Sequence, residues 1–473
     1  MTEVRSPRGT TQRHETMTES AVRLRREIRR ARKQGRAAVA RRQGDRLADL
    51  VAHARAASPY YRELYRGLPD RVSDPTLLPV TDKQKLMERF DDWATDRAVT
   101  LAKVRAFTED PGLIGRRFLG RYLVATTSGT SGRRGLFVLD DRCMTVGSAV
   151  SSRALASWLG PLGVVRAALR GGRFAQLVAT EGHYVGFAGY SRLMHGGGGR
   201  ARLLRAFSVH EPMDRLVAGL DAYRPAFVVG YASTIMLLAA EREAGRLHID
   251  PVLIQPAGET MTPGDIRRVA NAFGTRVRTM YSATECTYLS HSCAQGWYHV
   301  NDDWAVLEPV DADHRPTPAG EYSHTVLVSN LANRVQPFLR YDLGDSVMLR
   351  PDPCPCGTPS PAVRVQGRAG DVLTFPTGRG DDVSLAPLAF STLFDRMPDV
   401  ELFQIEQTAP ATLRVRVVGS RGADAERVWQ RAHEGLTRLL ADNKLDDVVV
   451  ERGEEPPVQA AGGKYRTVIP LAA

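Results

Sequence analysis

The densest anion-binding chemistry in the sequence is the run Thr126-Thr127-Ser128-Gly129-Thr130-Ser131-Gly132-Arg133-Arg134-Gly135. Five of its first six residues carry hydroxyls, more than an ordinary turn needs. Glycines let backbone N–H groups close on an anion, and hydroxyls add further donors. The chemistry expected of the run is phosphate binding; a plain polar hairpin loop is the alternative. It is not a Walker A loop, because the one Gly-Lys pair, Gly463-Lys464, is followed by Tyr465 rather than Ser or Thr. Lys464 is itself notable. The chain has 64 basic residues but only six lysines, and this one follows two glycines in Ala461-Gly462-Gly463-Lys464-Tyr465-Arg466. A compact ammonium on a flexible stem, in a loop that can approach a ligand closely, suits charge developing on a phosphate. Metal chemistry is the third candidate. Cys354-Pro-Cys356-Gly357 reads as a knuckle whose turn aims two thiols one way, and Cys293 and His299 offer a third thiol and an imidazole. Three cysteines and one histidine would close a tetrahedral structural Zn²⁺ site. Cys286 and His291 are rival ligands, and reduced, unligated thiols are the alternative.

These residues need a scaffold, and 473 residues allow two or three domains. The chain is 43% hydrophobic and 25% charged, the mix of a soluble globular protein. No apolar run reaches the roughly 18 residues of a membrane span, and no apolar signal core is present, so a cytoplasmic location is expected. Five cysteines make no disulfide scaffold. The net charge of +11 is concentrated in residues 1–46, where 14 arginines and lysines face five acidic residues. The expectation there is a disordered tail over 1–20 and then a solvated helix, with an RNA-, membrane- or partner-binding arm as the alternative. Helical patterning runs from Ala21 to about Asp92. Beyond it, short β-branched runs alternate with amphipathic helices. YLVA and LFVLD flank the hydroxyl-rich loop as strands, PAFVVGY is a buried strand followed by the helix STIMLLAAEREAG, and VRTMYSA and TVLVSNL read as further strands. This alternation predicts α/β sheets with crossover helices. After Gly367 the pattern becomes a compact α+β tail of about 105 residues, a normal domain size.

Motifs in order along nearly the whole chain, from SPYYRELY and LPVTDKQKL to GGKYR, resemble the adenylate-forming superfamily of acyl-CoA synthetases and adenylation domains. The phenylacetate-CoA ligase branch is the nearest likeness. The resemblance implies a large ATP- and substrate-binding domain over 21–366, with mixed sheets and crossover helices, and a small mobile α+β lid over 367–473. It implies that Thr127, Ser128, Gly129, Thr130, Ser131 and Gly132 form the phosphate loop and that Gly258-Glu259 precedes the adenine site. The Tyr281-Ser282-Ala283-Thr284-Glu285 motif would stack Tyr281 on adenine, hold the α-phosphate with Thr284 and bind Mg²⁺ with Glu285. In Arg340-Tyr341-Asp342-Leu343-Gly344-Asp345, Asp345 would bind the ribose hydroxyls, with Arg368 near ribose and phosphate. Lys464 would reach from the lid to the reacting carboxylate and phosphate. Some relatives share the Cys/His zinc arrangement.

The activity implied is ATP-dependent formation of an acyl-AMP from a small aryl or unsaturated acid, with pyrophosphate release and acyl transfer, CoA being the favoured acceptor. Two departures from the family pattern bear on this. Gly370 stands where relatives have a hinge aspartate, and Phe375-Pro376-Thr377-Gly378-Arg379-Gly380 replaces the segment lining the pantetheine channel. An amine acceptor (an amide synthetase), a carrier-protein thiol, or a non-carboxylate oxyanion substrate such as nitrite therefore stay open. So does an inactive adenylate-fold RNA-binding protein. Gly182-His183-Tyr184-Val185-Gly186 is expected to form one wall of the acyl pocket, with Tyr231 and Ala257 on others; His183 reads equally as a structural histidine.

Overall fold

The computed structural model describes residues 21–127, 135–180, 182–195, 202–368, 371–376, 382–385, 387–394, 397, 399–420, 422–458 and 466–471. The hydroxyl-rich loop from Ser128 to Gly132, Gly370 and Lys464 lie outside the described residues.

The flanks of that loop are the expected hairpin, β1 (Leu123–Thr126) and β2 (Leu136–Leu139), fully buried and antiparallel. Next comes a five-stranded parallel sheet: β3 (Phe174–Val178), β4 (Leu204–Ser208), β5 (Phe227–Tyr231), β6 (Leu253–Ala257) and β7 (Arg276–Val277), in the order β4-β3-β5-β6-β7. The chain moves from β3 to one neighbour, β4, then returns to the other side as β5. This reversal opens a crevice at the carboxyl ends of β3 and β5, where α/β sheets bind ligands. Gly230 allows the two strands to meet closely, since a Cβ there would stand 2.4 Å from that of Leu177. Helices Ala232–Glu243 and Pro263–Phe273 cross between strands and bury Ile235, Leu238, Val269 and Phe273 against the sheet.

Strands β8 (Ser290–Ser292), β9 (Tyr298–Val300), β10 (Ala305–Val310), β11 (Thr325–Asn330), β12 (Phe338–Asp342), β13 (Asp345–Leu349) and β14 (Ala362–Arg368) form two sheets, β10-β11-β12 and β13-β14-β9-β8. The expected strand over VRTMYSA stops at Val277. Beyond it the backbone runs beside β8 with irregular bonds: Ser292 N donates to Thr279 O (2.9 Å) and Ser290 N to Tyr281 O (3.1 Å). Serine side chains complete the pairing, with Thr279 N donating to Ser292 Oγ (2.9 Å), so no regular ladder forms.

The tail holds β15 (Leu373–Pro376), β16 (Asp382–Leu385), β17 (Val400–Ala409), β18 (Thr412–Gly419), β19 (Val449–Arg452) and β20 (Val468–Ile469), with the helix Ala425–Asp442. Among the described residues, its core cluster runs from Leu373 to Val468. At the other end, the arginine-rich helix Ala21–Lys33 is anchored. Leu24 and Ile28, four residues apart, are buried in the core beneath Tyr281, while Arg23, Arg26, Arg30 and Lys33 face solvent. The solvated helix of the sequence reading is thus only one face of it. Among the described residues, no helix is long and apolar enough to cross a membrane.

Candidate active site

The carboxyl edge of the parallel sheet carries the residues expected to wall the acyl pocket. His183 and Tyr184 follow β3, Tyr231 ends β5, and Ala257 ends β6 opposite Tyr231 in register. Gly258 turns the chain with φ +77°, a conformation that favours glycine. Glu259 then places Oε2 2.7 Å from Ser233 N, in the first turn of the helix after Tyr231. A carboxylate there is stabilised by the unsatisfied N–H groups and dipole of the helix end. Burial, then the charge of Glu259, pushes the Tyr231 phenol up to about 12, so it remains a hydrogen-bond donor at neutral pH.

The hairpin docks onto this edge. Thr126 N donates to His183 O (2.8 Å), and Thr126 bridges Tyr184. The base of the hydroxyl-rich loop is closed by two bonds: Thr127 N to Gly135 O (3.1 Å) and Gly135 N to Thr127 Oγ1 (2.9 Å). The loop therefore starts and ends beside the 183–184 segment. His183 is 1% exposed, lies 3.4 Å from Asp110 O through Nε2, and packs on the Phe107 ring at 5.4 Å. Those contacts fit its structural reading as well as a pocket wall. Gly186 opens the helix Val185–His195, its carbonyl bonded to Gln176 Nε2 (3.1 Å).

The segment after β7 carries the rest. Tyr281 Oη donates to Asp345 Oδ2 (2.8 Å), so the expected adenine and ribose residues meet directly. Asp345 is paired across the strands with Arg368, which brings that backbone to the same place. Glu285 is 7% exposed and accepts a hydrogen bond from Tyr341 Oη on Oε1 (3.0 Å). Burial, and then the Glu285 charge, holds the Tyr341 phenol far above its ordinary range, so it stays a donor. Oε2 of Glu285 has no hydrogen-bond partner among the described residues. One oxygen held and one open is a fit for a hard cation such as Mg²⁺. Ser282 is exposed and Thr284 half-buried on the same turn, which Ala283 and Cys286 close by reciprocal backbone bonds of 3.2 and 3.1 Å.

Two supporting residues escaped the sequence reading. Tyr341 was quoted only as part of a motif. Asn330, fully buried at the end of β11, donates to Glu285 O through Nδ2 (2.7 Å) and accepts from Tyr288 Oη and Ala332 N. An asparagine closing the strand TVLVSN, wholly buried, was the available signal, because a buried amide must be bonded.

The thiol cluster forms as expected. The ligand atoms of Cys293, His299, Cys354 and Cys356 all lie within 4.8 Å of one another. Cys293 Sγ is 3.8 Å from Cys354 Sγ, and Cys356 Sγ is 3.1 Å from His299 Nε2. A tetrahedron with zinc-length bonds has edges of about 3.5–3.8 Å. His299 Nδ1 donates to Ser360 O (3.1 Å), which leaves Nε2 as the ligand nitrogen. Gln295 N donates to Cys293 Sγ and Thr358 N to Cys356 Sγ, each at 3.4 Å. The rivals are not in the cluster: Cys286 is buried in the core near Cys143, and His291, cross-strand neighbour of His299, turns Nδ1 to Asn301 Oδ1 at 3.2 Å. The donor set fits zinc.

No protein-family model matches the sequence, and no curated protein is detectably similar to it. Solved structures do match. A 2-hydroxyisobutyryl-CoA ligase in the postadenylation state with 2-HIB-AMP aligns with 92% of this chain and 89% of its own, at 22% identity and TM-score 0.65. An open conformation of that ligase with 2-HIB-AMP and CoA aligns over 92% and 91%, at 21% identity and TM-score 0.54. The anthranilate CoA ligase AuaEII with anthranoyl-AMP aligns over 72% and 65%, at 14% identity and TM-score 0.50. The chain has the fold of the adenylate-forming CoA ligases.

Proposed function

We propose that this protein is an ATP-dependent, AMP-forming ligase that converts a small carboxylic acid to its acyl-AMP and passes the acyl group to an acceptor. The main support is a set of pairings among the motif residues: Gly135 N on Thr127 Oγ1 at the hairpin base, Tyr231 beside the Glu259 charge, Tyr281 Oη on Asp345 and Tyr341 Oη on Glu285. An aromatic face beside a carboxylate suits an adenosine, and a second, buried carboxylate suits phosphate-bound metal.

In this reading the acid lies between the 182–186 segment, Tyr231 and Ala257. A carboxylate oxygen attacks the α-phosphorus of ATP, the new O–P bond forms, and the bond to the pyrophosphate oxygen breaks. Tyr281 and Asp345 orient the nucleoside, with Arg368 beside them. Thr284 and the Thr127–Gly132 loop donate to phosphate oxygens, and Lys464 supplies positive charge where it develops. Mg²⁺ held by Glu285 would neutralise phosphate charge. Residues 21–366 act as the nucleotide-binding body and 367–473 as the lid. Cys293, His299, Cys354 and Cys356 would hold Zn²⁺ in a structural role, since four protein ligands would leave no open position.

The substrate is taken to be an aryl or small unsaturated acid, and CoA the acceptor. The CoA ligases with the same fold support CoA as the acceptor, and the anthranoyl-AMP of one of them supports an aryl acid. The test is a panel of acids assayed for pyrophosphate release without CoA, followed by CoA and amines, with products read by mass. Acid-dependent release names the substrate. Failure of every acid, together with no ATP binding, overturns the proposal.

A further inference from the structure

Strands β8 and β9 form a hairpin in which Ser290, His291 and Ser292 pair with Val300, His299 and Tyr298. Its turn is closed by Cys293 N on Trp297 O (2.8 Å), with Gly296 at φ +72°. Side chains alternate between the faces of a strand. His299 sends its imidazole to the thiol cluster, and its neighbour Tyr298 faces the other way. That second face grips the segment leading into the adenine motif. Thr279 N donates to Ser292 Oγ (2.9 Å), and Ser290 Oγ donates to Tyr281 O (3.0 Å). Thr279 Oγ1 donates to Tyr298 Oη (2.9 Å), the one hydrogen bond of that phenol among the described residues. The Tyr298 ring meets that of Tyr281 edge to face, with centroids 6.3 Å apart and planes at 62°. Tyr281 is thus held from two sides: Asp345 accepts from its hydroxyl, and Tyr298 backs its ring.

We propose that Tyr298 is a positioning residue of the nucleotide site, a role that rests on the reading of Tyr281 as the adenine-stacking residue. From Arg278 to Ala283 the chain is neither helix nor strand, so no ladder within the segment sets the angle of the Tyr281 ring. The Thr279–Tyr298 hydrogen bond and the ring contact set it instead. A platform already ordered loses less conformational freedom when its ligand arrives. The contribution therefore appears in affinity for the adenosine end of the nucleotide and not for its phosphates. Packing alone would be served by phenylalanine at 298; the hydroxyl is what ties the ring to Thr279. Cys293 and His299 bracket Tyr298 in sequence, so a metal held by the cluster would keep the hairpin, and Tyr298 with it, in this place.

The experiment is calorimetry of the full chain with AMP and, separately, with inorganic pyrophosphate and Mg²⁺. Tyr298→Phe keeps the ring contact and loses the hydroxyl, and Thr279→Val loses the donor at nearly the same shape. Each is expected to weaken AMP by about three- to tenfold, the span of one lost hydrogen bond, and to leave pyrophosphate within about twofold of the parent. The two substitutions together weaken AMP no further than either alone, since both break the same bond. Thr279→Ser, which keeps the donor, binds AMP as the parent does. Unchanged AMP affinity in both single variants, beside a parent that binds AMP, would overturn the positioning role and leave the nucleotide reading standing. An equal loss for pyrophosphate would overturn it too, because that marks general damage rather than a misplaced platform. A parent that binds neither AMP nor ATP would remove the nucleotide reading and this role together.

Discussion

Replacing Tyr341 by phenylalanine removes a single oxygen, 3.0 Å from Glu285 Oε1. The ring stays, and its edge-to-face contact with Phe338 at 5.4 Å survives. What is lost is a hydrogen bond to a charged, nearly buried group, a contribution of about 1.5–3 kcal/mol. If that bond fixes the carboxylate for a metal, the loss appears as metal affinity, and loss of such outer partners typically costs about 10–100-fold. The two estimates agree. The assay is acid-dependent pyrophosphate release titrated with Mg²⁺: the half-saturating concentration should rise at least about tenfold, while release at saturating Mg²⁺ recovers much of its rate. Melting temperature should fall by no more than a few degrees. Equal Mg²⁺ half-saturation in Tyr341→Phe and the parent would refute the reasoning, because the phenol would then not be holding a metal ligand.

Lys464→Ala should abolish pyrophosphate release by at least about a hundredfold while leaving ATP binding within a few-fold, as expected when charge stabilisation acts in the transition state; binding calorimetry beside the release assay separates the two. The protein as purified should carry one Zn²⁺ per chain by elemental analysis, and Cys354→Ser or chelation should lower the melting temperature without altering which acid is accepted. Alkaline unfolding should be steep. Burial holds the phenols of Tyr61, Tyr65, Tyr288 and Tyr341 above the ordinary 10.0. The stability tied to these shifts is complete below about pH 10, where unfolded phenols are also protonated, and it falls as pH rises toward the folded values. Tyrosinate absorbance should therefore appear together with loss of circular dichroism, and tyrosinate formed in a still-folded protein would contradict the burial argument.

The hairpin around the hydroxyl-rich loop and the strand–helix unit at Phe227–Glu243 were readable because β-branched runs and turn residues declare themselves locally. The thiol cluster was readable because thiols and an imidazole at such spacings have few other uses. The partnerships that hold the site were not. Tyr341 reaches Glu285 across 56 positions, and Asn330 reaches it across 45. No local pattern encodes bonds of that separation. The irregular stretch after Val277 misled for a related reason. Its residues have strand propensity, but serine side chains in β8 compete for the backbone. The burial of Leu24 and Ile28 was masked by the arginines around them, since composition averages over the two faces of a helix.

Strand β12, which delivers Tyr341, rests on segments from the beginning of the chain. Tyr61 Oη and Trp93 Nε1 each donate to the carbonyl of Pro337 at 2.8 Å, and Thr81 bonds both Arg340 O and Asp342 N. The first two bonds span 276 and 244 residues. At a ribosomal pace of about 5–20 residues per second, the early helices wait roughly 12–55 s before their anchor emerges. For that interval Tyr61 and Trp93, both 0% exposed at the end, have only early neighbours such as Tyr65 and Phe90 and lack Pro337 and Phe338. Nascent-chain chaperones that shelter aromatic surface should therefore raise the yield of this protein.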